Sequence, residues 1–386
     1  MDRQREALVG PDVVVDGSVV AGRAVLVTDG VIGGVIPLAE VPSDITVRDL
    51  GAGLLSPGLI DVHTHGAGGR SFGEADATAH RTALAALLRA GVTTVLPTLA
   101  SAPLEDTERA LEEIRMVAGD PALPYVPGAH LEGPYFAQAQ RGAQNQAALR
   151  NPSDGSVERL LDHADAIRMV SFAPELPGAV ALTERLVGLG IVAAAGHTDG
   201  RDEDLRACQQ AGLTHVIHIF SGQSTTIRQG PWRKPGMLEA TLASDGLTVE
   251  MIGDGKHLPT TLMRLAYRCL AGSLCLVSDS TPGAGLADGA RYRMGEVEYL
   301  VEDGVGVTLD RTAFAGSTTL ISEMLPIIVS ALGIGVAEAI AMVTSIPAKA
   351  AGLVNVGQIA PGLRADFTLF DADLTPRAVA LAGRWL

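Results

Sequence analysis

The sequence predicts an α/β protein: a (β/α)₈ barrel over 57–352 joined to a small β domain made from both chain ends, 1–56 and 353–386. Three observations carry that expectation. Between 58 and 352, short apolar runs alternate with longer Ala/Leu-rich stretches of helical character, and eight such runs stand out. Eight repeats within about 290 residues is the scale of a closed eight-stranded barrel. The two ends read differently, as β-branched runs broken by Gly and Asp turns. An open doubly wound sheet is the runner-up, disfavoured because no glycine-rich nucleotide fingerprint follows an early strand.

Taken in order, the first strands are expected at 13–20, 24–30 and 45–51. The barrel runs follow at 59–63, 93–96, 126–132, 167–171, 191–197, 216–218, 249–252 and 274–279. Segments 76–90, 105–118, 179–189 and 202–211 are the expected crossover helices between them. The very apolar stretch 320–343 contains Glu323, Pro326 and Glu338, so it reads as buried core helices rather than a membrane span. The closing segments 365–374 and 378–386 return to strand character and are expected to pair with the first strands, since chain ends often lie close together.

Composition bounds the function. The chain carries 29 Lys+Arg against 44 Asp+Glu, a formal net charge of −15. That balance disfavours non-specific binding to nucleic acid or anionic membranes, though a small anionic substrate remains compatible with a local cationic pocket. With 47% hydrophobic and 19% charged residues, the chain is expected to bury a sizeable core. Three cysteines, Cys208, Cys269 and Cys275, are too few and scattered for a disulfide framework or thiolate cluster. The N-terminal residues show no apolar stretch of signal-peptide length. The expectation is a soluble cytoplasmic protein.

The ends of the apolar runs hold the chemistry. His63 and His65 close the first, Glu132 the third, His197 the fifth, His218 the sixth and Asp279 the eighth. In a parallel barrel these C-terminal strand ends converge on one mouth. In His63-Thr64-His65, residues two apart on an extended segment face the same side, so both imidazoles can reach one ion. Each residue also has an ordinary reading: core histidine for His197 or His218, loop acid for Glu132, helix N-cap for Asp279. Taken together they form a donor set suited to zinc or another divalent first-row metal. A carboxylate such as Glu132 can bridge two ions, and Asp279 lies where a base could receive a proton.

At these residues the sequence resembles the amidohydrolase superfamily, and within it the N-acetylglucosamine-6-phosphate deacetylase family. The matching segments are PGLIDVHTHG (57–66), HLEGPY (130–135), FAPE (172–175), AAGHTD (194–199), HVIHIF (215–220), WRKPG (232–236), IGDGKH (252–257), LVSDS (276–280) and FAGSTTL (314–320). The tail from Ser345 onward matches the return to the small domain. The resemblance implies a β-sandwich beside the barrel, a homodimer and one or two divalent ions, zinc foremost with iron or manganese as alternatives. It implies that Glu132, His197 and His218 hold the principal metal, that His63 and His65 hold a second, and that Asp279 is the catalytic acid/base. It further implies that Arg233 and His257 meet the phosphate and sugar, the arginine reaching across the dimer.

Two departures from the family pattern are visible. Where the family carries Gly-Ala-His ahead of Asn, this chain has Gly142-Ala143-Gln144-Asn145. A neutral amide still donates a hydrogen bond but carries no positive charge. Where the family reads aromatic-Asn-Ala-Met, this chain reads Phe220-Ser221-Gly222-Gln223. Ala143, Gln144, Ser221 and Gly222 are therefore the candidate substrate contacts that bear on specificity, beside Arg233 and His257. The activity expected is metal-assisted removal of the acetyl group of N-acetylglucosamine-6-phosphate, giving acetate and glucosamine-6-phosphate, in amino-sugar catabolism. The alternatives are another N-acyl amino-sugar phosphate, such as the galacto epimer, or a cyclic amide. A non-catalytic scaffold would not need the complete ligand set, and no Gly-x-Ser-x-Gly elbow supports serine hydrolysis.

Overall fold

The computed structural model describes residues 5–386. Its centre is an eight-stranded parallel sheet: β1 (Leu59–Thr64), β2 (Val92–Ala100), β3 (Ala129–Glu132), β4 (Ile167–Phe172), β5 (Val192–Ala195), β6 (His215–Val216), β7 (Thr248–Ile252) and β8 (Leu274–Val277). Each strand pairs with its neighbour in sequence, the order running without interruption from β1 to β8. The sheet closes beyond the last strand: Thr64 bridges Ser280, His65 N–H donates to the Ser280 carbonyl at 2.6 Å, and Asp279 N–H donates to the His63 carbonyl at 2.8 Å. All eight apolar runs of the sequence therefore reach the barrel.

The runs are nearly continuous in apolar residues because helices cover the outside of a parallel sheet while side chains fill its inside. Leu59, Ile60 and Val62 on β1 are fully buried, as are Val249 and Met251 on β7. Burying one such aliphatic side chain contributes roughly 1.5–3 kcal/mol. The expected crossover helices appear as α1 (Ala77–Arg89), α2 (Leu104–Val117), α4 (Ala179–Gly188) and α5 (Asp202–Gln210), with a short α3 (Ser156–Leu161) before β4. Asp76 caps α1 by accepting from Thr78 N–H. The apolar segment at 320–343 forms the helices Ile321–Leu332 and Val336–Met342; Met324, Leu325 and Ile328 enter the core.

Both termini build two sheets beside the barrel. Leu54–Pro57 pairs antiparallel with Phe367–Phe370 in a six-stranded sheet, which thus joins the first and last segments of the chain. A four-stranded sheet holds Arg5–Val9, Arg23–Thr28, Val31–Pro37 and Thr46–Asp49. Leu8, Val13, Val25, Ile32, Leu55 and Phe367 fill one core between these elements. Residues 1–4 of the expected 1–56 segment lie outside the described residues.

One element has no counterpart in the sequence expectation. After β8 the chain forms a four-stranded antiparallel sheet of Arg291–Met294, Val297–Glu302, Val305–Thr308 and Phe314–Ser317. Its pattern is legible in retrospect: two alternating apolar runs flank Asp303-Gly304, a hairpin turn. Asp303 takes the positive φ of 53° that such a turn requires. Tyr292 and Tyr299 stack at 5.5 Å in its small core, and the sheet forms one wall of the barrel mouth.

Candidate metal centre

Strand geometry delivers the donors. His63 and His65 straddle the end of β1, and Glu132 is the last residue of β3. His197, His218 and Asp279 each follow the end of their strands, β5, β6 and β8, by two residues. His197 and Asp279 adopt left-handed φ values of 44° and 46°. Such a conformation costs of order 1 kcal/mol or more in a non-glycine residue and persists only where surroundings hold it. For Asp279 those surroundings are the His63 carbonyl, which its N–H meets, and Ser317, whose N–H meets its carbonyl. For His197, the positive φ of Gly222 lets that backbone pack closely; a Cβ there would stand 2.7 Å from His197 Nδ1.

The six groups meet around Glu132. Its Oε1 lies 3.1 Å from His197 Nε2, 3.0 Å from His218 Nε2 and 3.7 Å from His63 Nε2. Its Oε2 lies 3.3 Å from His65 Nε2, which is also 3.3 Å from Asp279 Oδ1. Two overlapping triads of donor atoms result: His63, Glu132 and His218, and His63, His65 and Asp279. All are buried.

A second layer, which sequence reasoning missed, orients the first. Glu250 in β7 is fully buried, accepts from His63 Nδ1 at 2.7 Å and His215 Nε2 at 2.9 Å, and takes the His218 N–H at 3.2 Å. A carboxylate on Nδ1 fixes the tautomer, so His63 Nε2 presents a lone pair to the cluster. That buried Nε2 has no hydrogen-bond partner. A lone pair facing two carboxylates requires a positive charge between them, so the site fits a cation. The protonation tendencies reflect the same demand for positive charge, which a proton on Nε2 also meets. Burial opposes charge on His63, but Glu250 and Glu132 outweigh it and raise its pKa well above the usual value. Burial likewise opposes charge on His65, whose pKa the Asp279 and Glu132 carboxylates nonetheless raise to about 9. Glu132 is driven well below the usual range, its burial outweighed by hydrogen bonds from His197, His218, His63 and His65. His130, Glu250 and His63 form a third triad, but the His130 nitrogens are taken by the Val62 carbonyl and Ser171 Oγ and its pKa is pushed down to about 3, chiefly by burial. It belongs to the supporting layer. The signal for that layer was present in sequence: a glutamate inside the apolar run TVEMI and a second histidine in HVIHIF.

A chamber of about 230 Å³ opens over these groups. Of the expected substrate contacts, Ala143, Gln144, Ser221, Gly222 and His257 line it. Gln144 Nε2 donates to Glu132 Oε2 at 2.6 Å while its Oε1 accepts from Ser101 N–H at 2.8 Å, so it clamps the carboxylate and has one N–H left. Tyr299 OH steadies that loop by donating to the Ala143 carbonyl at 3.0 Å. Asp254 accepts from His257 Nδ1 at 2.7 Å and from Ser317 Oγ at 2.9 Å, which fixes the imidazole. Arg233 is not brought to the chamber within one chain. It sits on the exposed hairpin of Ile227–Gln229 and Trp232–Lys234, donating to the Pro231 carbonyl. Among the described residues lining the chamber there is no lysine or arginine. Nor does any described helix have the length and apolarity to cross a membrane.

Known proteins align with this architecture over almost its whole length. The chain is 31% identical over 363 residues to N-acetylgalactosamine-6-phosphate deacetylase of Escherichia coli O157:H7, covering 93% of each. It is 32% identical over 349 residues to N-acetylglucosamine-6-phosphate deacetylase of Bos taurus, covering 87% of this chain and 84% of the relative. Among solved structures, the N-acetylglucosamine-6-phosphate deacetylase of Pasteurella multocida superposes with a TM-score of 0.91 at 27% identity, over 99% of both chains. A Mycobacterium smegmatis deacetylase bound to N-acetyl-D-glucosamine-6-phosphate gives 0.89 at 30% identity, over 100% of this chain and 99% of the other. The model of the amidohydrolase family matches residues 54–385, a span that takes in every donor at the barrel mouth. With its strand-end histidines and carboxylates inside that span, the chain belongs to the amidohydrolase family, metal-dependent enzymes that hydrolyse carbon–nitrogen bonds.

Proposed function

We propose that this enzyme removes the acetyl group of N-acetylglucosamine-6-phosphate, releasing acetate and glucosamine-6-phosphate in amino-sugar catabolism. The observation that carries the reading is Glu132 set between His197 and His218, with Asp279 beside His65, at the floor of one chamber. Glu132, His197 and His218 would hold the principal divalent ion and His63 and His65 a second, zinc being favoured by the imidazole and carboxylate donors. When bound, such an ion supplies Lewis-acid charge to the acyl oxygen and makes water acidic enough to attack near neutral pH.

The chain's own groups do the rest. Asp279 receives the proton of the attacking water and returns it to the amine nitrogen as the C–N bond breaks. Gln144 holds Glu132 in place and offers its remaining N–H to the developing oxyanion. His257, fixed by Asp254, presents Nε2 to the sugar. Arg233 would meet the phosphate from a partner subunit, its exposed hairpin being the reaching element of a homodimer. A cytoplasmic location suits the reduced cysteines and the phosphorylated substrate. The division into a sandwich of 1–56 with 353–386 and a catalytic barrel of 57–352 is supported by the separate core of Leu8, Val25, Ile32 and Phe367.

The galacto epimer is the second reading. It is favoured by the Escherichia coli relative and by Gln144 and Ser221-Gly222 standing where the family carries other residues. Acetate release from N-acetylglucosamine-6-phosphate, its galacto epimer and the unphosphorylated sugar, with metal content measured on the same sample, tests both. The phosphorylated gluco sugar is expected to turn over fastest, and chelation of the metal to abolish turnover. Faster hydrolysis of the galacto epimer would reverse the assignment.

A further inference from the structure

The catalytic chamber has a neighbour. A second cavity of about 240 Å³ shares five of its lining residues, His65, Ala100, Ser101, Asn145 and Met294. The two cavities adjoin along these shared residues, whereas His257 lines only the first. Its remaining wall includes small residues, Ser71, Gly73, Ala75 and Ala102, with Thr98 and Pro103. Nothing in the mechanism above uses this space.

We propose that the second cavity is an acyl subsite, and that the enzyme hydrolyses N-acyl groups longer than acetyl. This rests on the functional reading just given. The reacting carbonyl must lie by Glu132 and Asp279, and the sugar in the chamber that His257 lines. A planar trans amide places its two substituents on opposite sides of the C–N bond. With the sugar in the first chamber, the alkyl group of the acyl chain is directed away from it, past His65. The charged side chains beyond His65 favour an alkyl group over a phosphate. The ionic groups on the wall are Asp106, Arg109 and Glu296, which sum to −1, and Arg109 is already paired with Asp106. These groups give a dianion no unpaired cation, whereas a neutral alkyl chain meets Ala75, Ala102, Pro103 and Met294. The reaction is unchanged in kind: water adds to the acyl carbon, the C–N bond breaks, and a carboxylate and a protonated amine result.

The test compares kcat/KM for the N-acetyl, N-propionyl and N-butyryl derivatives of glucosamine-6-phosphate. The butyryl compound is expected to be hydrolysed within roughly tenfold of the acetyl compound. Ala75→Leu and Ala102→Leu, which add bulk to the wall of the second cavity, are expected to lower the butyryl-to-acetyl ratio by roughly tenfold, a size-exclusion effect of the order a pocket achieves per one or two methylenes. Hydrolysis confined to the acetyl compound, or a ratio untouched by both variants, would overturn the subsite while leaving the deacetylase reading intact. Absence of hydrolysis with every acyl group would overturn the functional reading and the subsite with it.

Discussion

At the floor of the chamber, six titratable side chains are fixed by strand ends and by a buried layer behind them. On the hairpin carrying Arg233, the side chain stands in solvent with a single backbone carbonyl as partner. The two regions differ in what holds them. The floor is over-determined: His63 is gripped at Nδ1 by Glu250, Glu132 by Gln144, and Asp279 by the barrel's closing hydrogen bonds. The hairpin owes its geometry to two three-residue strands. Groups that meet a cation need that rigidity, because donor positions must hold to fractions of an ångström. A group that meets a phosphate at the chamber's rim can be supplied by a mobile or borrowed element.

Substitutions can sharpen or break this contrast. The largest effect is expected at the floor: Asp279→Asn should lower kcat by about 10²–10⁴-fold, the usual range for a lost general acid/base, with metal content nearly unchanged. Full turnover in that variant would remove Asp279 from the chemistry. Next, Glu250→Gln should weaken metal affinity by roughly 10–100-fold, the range for a lost outer-layer partner, read by chelator competition on protein whose circular dichroism is unaltered. Unaltered affinity would make Glu250 a packing residue. On the hairpin, Arg233→Met should raise KM roughly tenfold or more through loss of the proposed charge-assisted hydrogen bond to the phosphate, with kcat little changed. An unmoved KM would free the hairpin from the substrate altogether. The smallest effect is expected for Gln144→Ala, about a two- to tenfold fall in kcat/KM, since one neutral hydrogen bond is worth roughly 1 kcal/mol. A fall as large as that of Asp279→Asn would mean that Gln144 stabilises the oxyanion by far more than one neutral hydrogen bond supplies.

Much of the floor was legible before the fold was known, and the reason is local. An apolar run that ends in His or Glu announces a strand end, and barrel topology sends all such ends to one rim. His63, His65, Glu132, His197, His218 and Asp279 are singled out that way, and the fold brings them together. The layer behind them was not. Glu250 and His215 sit inside apolar runs, where a polar residue is as readily a structural oddity as a support. The sheet spanning Arg291–Met294 to Phe314–Ser317 has no counterpart in the expectation because its short strands are interrupted by glycine and charged residues, although its Asp303-Gly304 turn is plain.

The sequence by itself determined the alternation of strands and helices, the strand character of both ends, and the identities of the candidate donors, because each is written in residues a few positions apart. Tertiary structure alone decided which nitrogen of His63 faces the cluster, since Glu250 approaches it from 187 positions away. It likewise decided that Gln144 grips Glu132, that Arg233 stays outside its own chamber, and that a second cavity adjoins the first. Those are matters of distance between segments with no local pattern in common, and only the closing of the barrel sets them.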